Sequence, residues 1–233
     1  MLFLGELVMT MPKITNRFER DIVNILSNTP VDNIFDVGAN TGQSSKVFLD
    51  FFPKSDIYAF EPVSSTYDVL KKTTAGAKNV HTYNIALGAS GSNQAMSCSG
   101  VSTQNRLLDH SMRYTSDLEV VKVVRGDDFC RDNGIDRISL LKIDTEGHDL
   151  KVLIGFVEML RDNRIDLIQV EAGMSQDNEL HVPFQEFFLF LKEFDYNLFA
   201  IYDQVLEFKL REPRIRRSNP AFISRHVVKN NVW

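Results

Sequence analysis

The stretch Asn33-Ile34-Phe35-Asp36-Val37-Gly38-Ala39-Asn40-Thr41-Gly42 decides the fold. A short apolar run closes on an aspartate and two glycines, and helical spacing begins at once beyond them. Glycine permits backbone angles and a close ligand approach that a side chain would block, so a strand turning into a helix here opens an α/β sheet with a ligand at its carboxyl edge. Three residues separate the glycines and Gln43 stands where a phosphate-binding lysine would be, so the turn is not a P-loop. It also lacks the Gly-x-Gly-x-x-Gly pattern of dinucleotide-binding proteins.

Outward from this turn, apolar or β-branched runs at Ile34 to Val37, Ile57 to Phe60, Val80 to Ala86, Ile138 to Ile143 and Ile165 to Val170 predict strands. Helices are predicted between them over Thr41 to Phe52, Ser64 to Thr73, Asp127 to Asn133 and His148 to Arg161. This alternation implies parallel strands with crossover helices. A leading helix is expected over Asn16 to Leu26 and another over Pro183 to Phe194, where proline suits a first turn. Tyr196 to Tyr202 and Val205 to Leu210, parted by Asp203 and Gln204, read as a hairpin, with a last strand at Ala221 to Ser224. The expected fold is therefore α/β, a mostly parallel sheet with an antiparallel end hairpin and helices on both faces. Residues 1–233 read as one domain, with 1–30 a helical extension and the polar stretch 90–117 a long connection or short hairpin, a loop or lid shaping a substrate pocket.

Composition narrows the partners. The chain has 233 residues, 43% hydrophobic and 24% charged, enough to bury a core, and its net charge of -5 gives no basic field to gather nucleic acid or anionic membrane. The basic residues Lys209, Arg211, Arg214, Arg216, Arg217, Arg225 and Lys229 read as a solvated edge. Cys98 and Cys130 have neither metal-ligand nor disulfide spacing, which points to free thiols and a cytoplasmic setting. The apolar start contains Glu6 and no preceding basic stretch, so neither a signal peptide nor a membrane span is expected. The partner is expected to be a small molecule. Oligomeric state is left open, a homodimer being one option.

Charge then discriminates the ligand. Asp36 at the first strand's tip would repel a pyrophosphate but favours an ammonium and a sulfonium, the charges of S-adenosyl-L-methionine; alternatively it hydrogen-bonds its own loop. Glu61 follows Asp36 by 25 residues, near where ribose hydroxyls are held in such folds, with Pro62 beside it. Gly38, Asn40, Thr41, Gly42 and Ala86 complete the expected cofactor set. On Leu140 to His148, strand alternation puts Lys142 and Asp144 on one face, where a charged pair is costly unless matched or used. Asp144 reads equally as a helix cap and as a catalytic or cofactor-contacting residue. Lys142, Glu146 and His148 join it as expected catalytic residues, and His148 and His181 are both candidate general bases. Asp144, Glu146 and Glu171 could instead ligate a divalent cation, but no metal is the expectation.

Taken together, Phe35 to Gly42, Phe60-Glu61-Pro62, Asp127-Asp128-Phe129 and Leu141 to His148 resemble the FkbM family of methyltransferases over about Asn33 to Tyr202. The resemblance implies a Rossmann-like, class I methyltransferase sheet. It also implies cofactor contacts from Asp36, Gly38, Asn40 and Glu61, a reaction centre bordered by Asp144 and Glu146, and a hydroxyl acceptor on a sugar, glycoside or polyketide-type product. A nicotinamide-dependent oxidoreductase and a non-catalytic cofactor-binding module are the alternatives.

Overall fold

The computed structural model describes residues 17–98, 106–107, 117–207 and 212–231. Its main sheet is laid down by β1 (Asn33–Val37), β2 (Asp56–Phe60) and β3 (Val80–Tyr83), which step outward in one direction, parallel and in register. The helices α2 (Gln43–Phe51) and α3 (Ser64–Thr73) connect them. The chain then returns to the other side of β1 with β8 (Ile138–Ile143) and β9 (Ile165–Val170), also parallel. Strand order therefore reverses between β1 and β8, and such a switch point opens a crevice at the carboxyl ends of the two strands. At the far edge β12 (Glu212–Ser224) runs antiparallel to β9, β10 (Ala172–Gly173) and β11 (Tyr196–Glu207). The sheet is thus mixed, mostly parallel and α/β, as its sequence pattern predicts.

Alternation along the central strands splits the core into two layers. Phe35, Val37, Leu141, Ile143 and Val170 point to one side, against Phe129, Phe156, Leu160 and Phe187; Ile34, Ile57, Leu140 and Leu167 point to the other. There they meet α1 (Phe18–Ile25), Phe48 of α2 and Val227 of α8 (Arg225–Asn230). With both faces covered, these strands read as continuous apolar runs rather than alternating ones.

Four expectations need correction. The run Val80 to Ala86 is not one strand: after β3 the Asn84 side-chain amide donates to the carbonyls of Glu61 (3.0 Å) and Pro62 (2.8 Å), diverting the chain. It re-enters as β4 (Ala86–Gly88) in a second sheet of order β4-β7-β5-β6, formed with β5 (Ser92–Cys98), β6 (Arg106–Leu107) and β7 (Asp117–Arg125). The expected long connection at 90–117 is thus largely strand where it is described, nearer the short-hairpin alternative, with β5 antiparallel to β6; residues 99–105 and 108–116 lie outside the described residues, as do 1–16 of the helical extension. Asp203 and Gln204 are not a hairpin turn. Asp203 has φ 46 and sits where the β11–β12 register slips, a bulge inside one long strand.

The fourth correction concerns His148 to Arg161, which is two helices, α5 (Asp149–Ile154) and α6 (Val157–Arg161). Gly155 packs so closely that a Cβ there would meet the Gly88 carbonyl oxygen at 2.2 Å. Asp127, from α4 (Gly126–Asp132), then accepts the N–H groups of Glu158 (2.9 Å) and Met159 (3.0 Å) and pairs with Arg125 at 2.6 Å. A buried carboxylate caps the new helix from a distant segment. Asp127→Ala is expected to cost about 2–3 kcal/mol, a lost cap that leaves the Glu158 and Met159 N–H groups without an acceptor while Arg125 keeps Glu158, against less than about 0.5 for the more exposed Asp128→Ala. Urea unfolding of both variants checks this, and equal costs would refute the capping role.

Candidate active site

The crevice at the switch point holds a cavity of about 290 Å³ lined by Val37 to Asn40, Gln43, Ser44, Phe60 to Pro62, Ile85 to Leu87, Met96, Lys142, Asp144 to Glu146 and His148. Every lining segment follows the carboxyl end of a strand or belongs to the small sheet. The lining combines apolar side chains (Val37, Phe60, Ile85, Leu87 and Met96) with the carboxyls of Glu61, Asp144 and Glu146.

At one end, Glu61 leaves β2 and its carboxylate accepts the N–H of Val63 (2.9 Å) and of Asn40 (3.1 Å). Asn40 adopts φ 51, sparsely populated for a side-chain-bearing residue, so the turn after β1 is held rather than relaxed. The buried Asn40 Oδ1 has no partner, and Asn40 is among the residues that line the cavity. Burial pushes the Glu61 carboxyl up to about 7 against these hydrogen bonds. An acceptor pair of this kind suits vicinal hydroxyl donors.

Asp36 and Lys142 are register partners on β1 and β8. Asp36 is fully buried, its Oδ1 lying 3.2 Å from the Lys142 ammonium and its Oδ2 accepting the Ser45 hydroxyl at 2.7 Å. It lies beneath the cavity floor, not on its surface. Lys142 also reaches Asp144 Oδ2 at 3.5 Å, so alternation does bring those two together. Although burial opposes it, the charges of Asp36 and Asp144 raise the Lys142 pKa, and the ammonium keeps its proton. Lys142 therefore holds the Asp144 carboxylate in place rather than acting as a base. Asp144 is not a helix cap: that turn is closed by Asp149, which accepts the Thr145 hydroxyl at 2.8 Å and its N–H at 3.3 Å.

Glu146 has φ 53 and Gly147 φ 96, a double left-handed bend that turns the Glu146 carboxyl into the cavity. Burial first, then the charges of Glu171 and Asp144, push its pKa up to about 7, with His181 pulling the other way. His148 is also at the wall, but burial and then Lys151 lower it to about 4, leaving a neutral imidazole with little appetite for a proton. Thr41 and Gly42 do not line the cavity; Gly42, at φ 92, sets the entry into α2.

Behind Glu146 stands a group that the sequence pattern connects only in part, Glu146 with Glu171. His181 Nε2 lies 2.8 Å from Glu171 and 3.9 Å from Glu146, and Arg217 closes on the other Glu171 oxygen. Lys209 and Arg211 lie outside the described residues, and the rest of the basic tail is more than solvated edge at four positions: Arg217 belongs to the site, and Arg214, Arg216 and Arg225 pair with Asp177, Glu207 and Asp195. Glu146, Glu171 and His181 are near enough for one cation, but both Glu171 oxygens are already taken by cationic donors, so we read an ion-paired chain.

The methyltransferase FkbM domain family matches residues 36–198. The chain belongs to that family. The crystal structure of methyltransferase FkbM from Methylobacillus flagellatus superposes with a TM-score of 0.55 at 14% identity, covering 83% of this chain and 44% of that one, which shows the shared Rossmann-like methyltransferase fold. Among curated relatives, hexuronic acid methyltransferase AglP of Haloferax volcanii is 24% identical over 161 residues, 68% of this chain and 64% of its own. The 2-O-methyltransferase NoeI of Sinorhizobium fredii is 24% identical over 168 residues, 66% of this chain and 68% of its own. This FkbM-domain chain thus spans roughly two thirds of the length of both relatives.

Asp149 and Arg217 are site residues that the sequence pattern does not single out. A carboxylate four residues past Thr145 is a local signal for the first; the second reaches the site only through β12 pairing.

Proposed function

We propose that this FkbM-domain protein is an S-adenosyl-L-methionine-dependent O-methyltransferase acting on a hydroxyl of a small molecule of the sugar or glycoside class. The observation that carries this reading is one cavity with a paired acceptor, Glu61 beside Asn40, at one end and the Asp144 and Glu146 carboxyls at the other. The names of the two curated relatives, one acting on a hexuronic acid and one a 2-O-methyltransferase, support the acceptor class.

The residues fit the cofactor. The unpartnered Asn40 Oδ1 and the Glu61 carboxylate suit ribose hydroxyls, the apolar side chains suit adenine, and the carboxyls of Asp144 and Glu146 suit a cation. When bound, the cofactor supplies a methyl group activated by its sulfonium, leaving a neutral thioether once the acceptor oxygen has taken the methyl. The chain's own tasks are alignment and proton removal. Asp144, fixed by Lys142, offers negative charge to the cavity, and Glu146 takes the acceptor's hydroxyl proton. Alignment supplies most of the acceleration and the base about 10² to 10⁴ more. Among the described residues no helix is long and apolar enough to cross a membrane, and both cysteines are free, which supports a place in the reducing cytoplasm.

Titration calorimetry with S-adenosylhomocysteine, and methyl transfer to a panel of p-nitrophenyl glycosides and glucuronides, test this reading. Glu61→Ala is expected to weaken cofactor-product binding by roughly 10- to 100-fold, the loss of hydrogen bonds to a charged group. Unchanged affinity would move the cofactor elsewhere.

A further inference from the structure

On the reading of Glu146 as the base, we propose that His181 is a positioning residue: a doubly protonated imidazolium, clamped by Glu171 and Asn178, that orients the Glu146 carboxylate and keeps it ionised for the reaction.

The protonation state follows from geometry. Asn178 Oδ1 is approached by three donors, the N–H of Leu180 at 3.2 Å, the N–H of His181 at 3.3 Å and the His181 ring Nδ1 at 3.0 Å. Its amide nitrogen donates to the Arg216 carbonyl at 3.0 Å, which fixes which end of the amide faces the ring. The Nδ1 atom therefore carries a hydrogen. On the ring's other side Nε2 faces Glu171 Oε2 at 2.8 Å, an acceptor, so it carries one too. A ring with acceptors at both nitrogens is a cation. Burial alone would lower its pKa, but the Glu171 hydrogen bond and the charges of Glu171 and Glu146 outweigh burial and raise it.

The backbone delivers this cation to the base. Gly147, the residue after Glu146, lies so close to the segment leading into α7 (Phe184–Lys192) that a Cβ there would meet the Leu180 carbonyl oxygen at 2.2 Å. Gly173 meets the same loop, its N–H donating to the Val182 carbonyl at 2.9 Å. The groups that act on Glu146 come from every neighbouring element: Asp144 and, through it, Lys142 from β8; Asp149 from α5; Glu171 after β9; His181; and Arg217 of β12 through Glu171. Three of these are acids that hinder ionisation of Glu146. Among the described residues His181 is the cation placed to relieve it directly, at 3.9 Å. His181 does not line the cavity, so its effect passes through Glu146.

The test follows kcat against pH at saturating cofactor, on a glycoside that the wild-type protein methylates. In His181→Gln the rising limb should move up by about one pH unit, so that turnover at pH 6.5 falls roughly 10-fold and recovers at high pH, with S-adenosylhomocysteine affinity unchanged. A uniform fall at every pH, or no change, overturns the proposal. A second measurement needs no variant: long-range proton–nitrogen spectra of the wild-type imidazoles should show His181 doubly protonated at pH 7, and a neutral ring overturns it. A wild-type rate that requires a divalent cation and is lost on chelation would make the cluster a metal site and overturn the ion-pair reading. Absence of any cofactor binding or methyl transfer in the wild-type protein would instead remove the methyltransferase reading, while the imidazole spectrum would still decide the state of His181.

Discussion

Glu146→Gln is expected to lower turnover by about 10² to 10⁴-fold at pH 7.5 and to leave S-adenosylhomocysteine affinity within about twofold of wild type. The substitution keeps the volume and the hydrogen-bonding reach of the side chain and removes its negative charge and its capacity to take a proton, and the neutral thioether of S-adenosylhomocysteine does not depend on that charge. Glu146 is singled out because it combines a place on the cavity wall with a proton affinity lifted to about 7, where a base is both largely ionised and strong enough to act. Asp144 is tied to Lys142, and His148 holds a proton only near pH 4. The sign of the pH dependence follows: Glu146 is active as carboxylate, so kcat should rise as pH increases through about 7 and lose this limb in the variant. Glu61 also titrates near 7, so the profile must be taken with cofactor saturating. A variant with normal turnover would exclude Glu146 as the base, and a matched loss of cofactor affinity would make it a binding residue.

The central sheet is legible because its strands are buried on both faces, so Ile34 to Val37 and Ile138 to Ile143 announce themselves as apolar runs bounded by Gly38 and Thr145. The end of the cavity at Glu61 and Asn40 is legible for a related reason: both lie within a few residues of strand ends, and a strand end is a local feature. Where long-range contacts override local pattern, the sequence misleads. Leu118 to Val124 has strand alternation, yet it follows a polar stretch and becomes β7 only by pairing with both β4 and β5. The break at Gly155 depends on Gly88 and Asp127, far away in the chain. Arg217 reads as one of many surface cations until β12 pairing carries it to Glu171. Asp36 shows the subtler limit. Its strand tip can be read from the sequence but its depth cannot, and burial makes it the partner of Lys142 and Ser45, beneath the cavity floor.

Gly38→Ala should be among the most damaging single substitutions in the chain. Gly38 has φ 80, and an added Cβ would meet the Asp144 carbonyl oxygen at 1.9 Å and its carbon at 2.8 Å. That carbonyl belongs to backbone and has little room to retreat. The Asp144 N–H donates to Val37 at 3.0 Å and the Gly38 N–H to Phe60 at 3.0 Å, so moving either segment breaks the ties holding β8 and β2 to β1. Left-handed strain costs about 1–2 kcal/mol and forced repacking about 1–3 more, together lowering Tm by roughly 10 °C for a chain of this size. Because Gly38 and Asp144 both line the cavity, cofactor binding should fall with stability. Gly76 supplies the control: it has φ 91 and nothing within 4 Å of the place a Cβ would take, so Gly76→Ala carries the strain without the collision. Thermal unfolding should separate the two variants by at least about 1 kcal/mol. If they unfold together, the close approach of the first glycine to β8 is not what holds the crevice in shape.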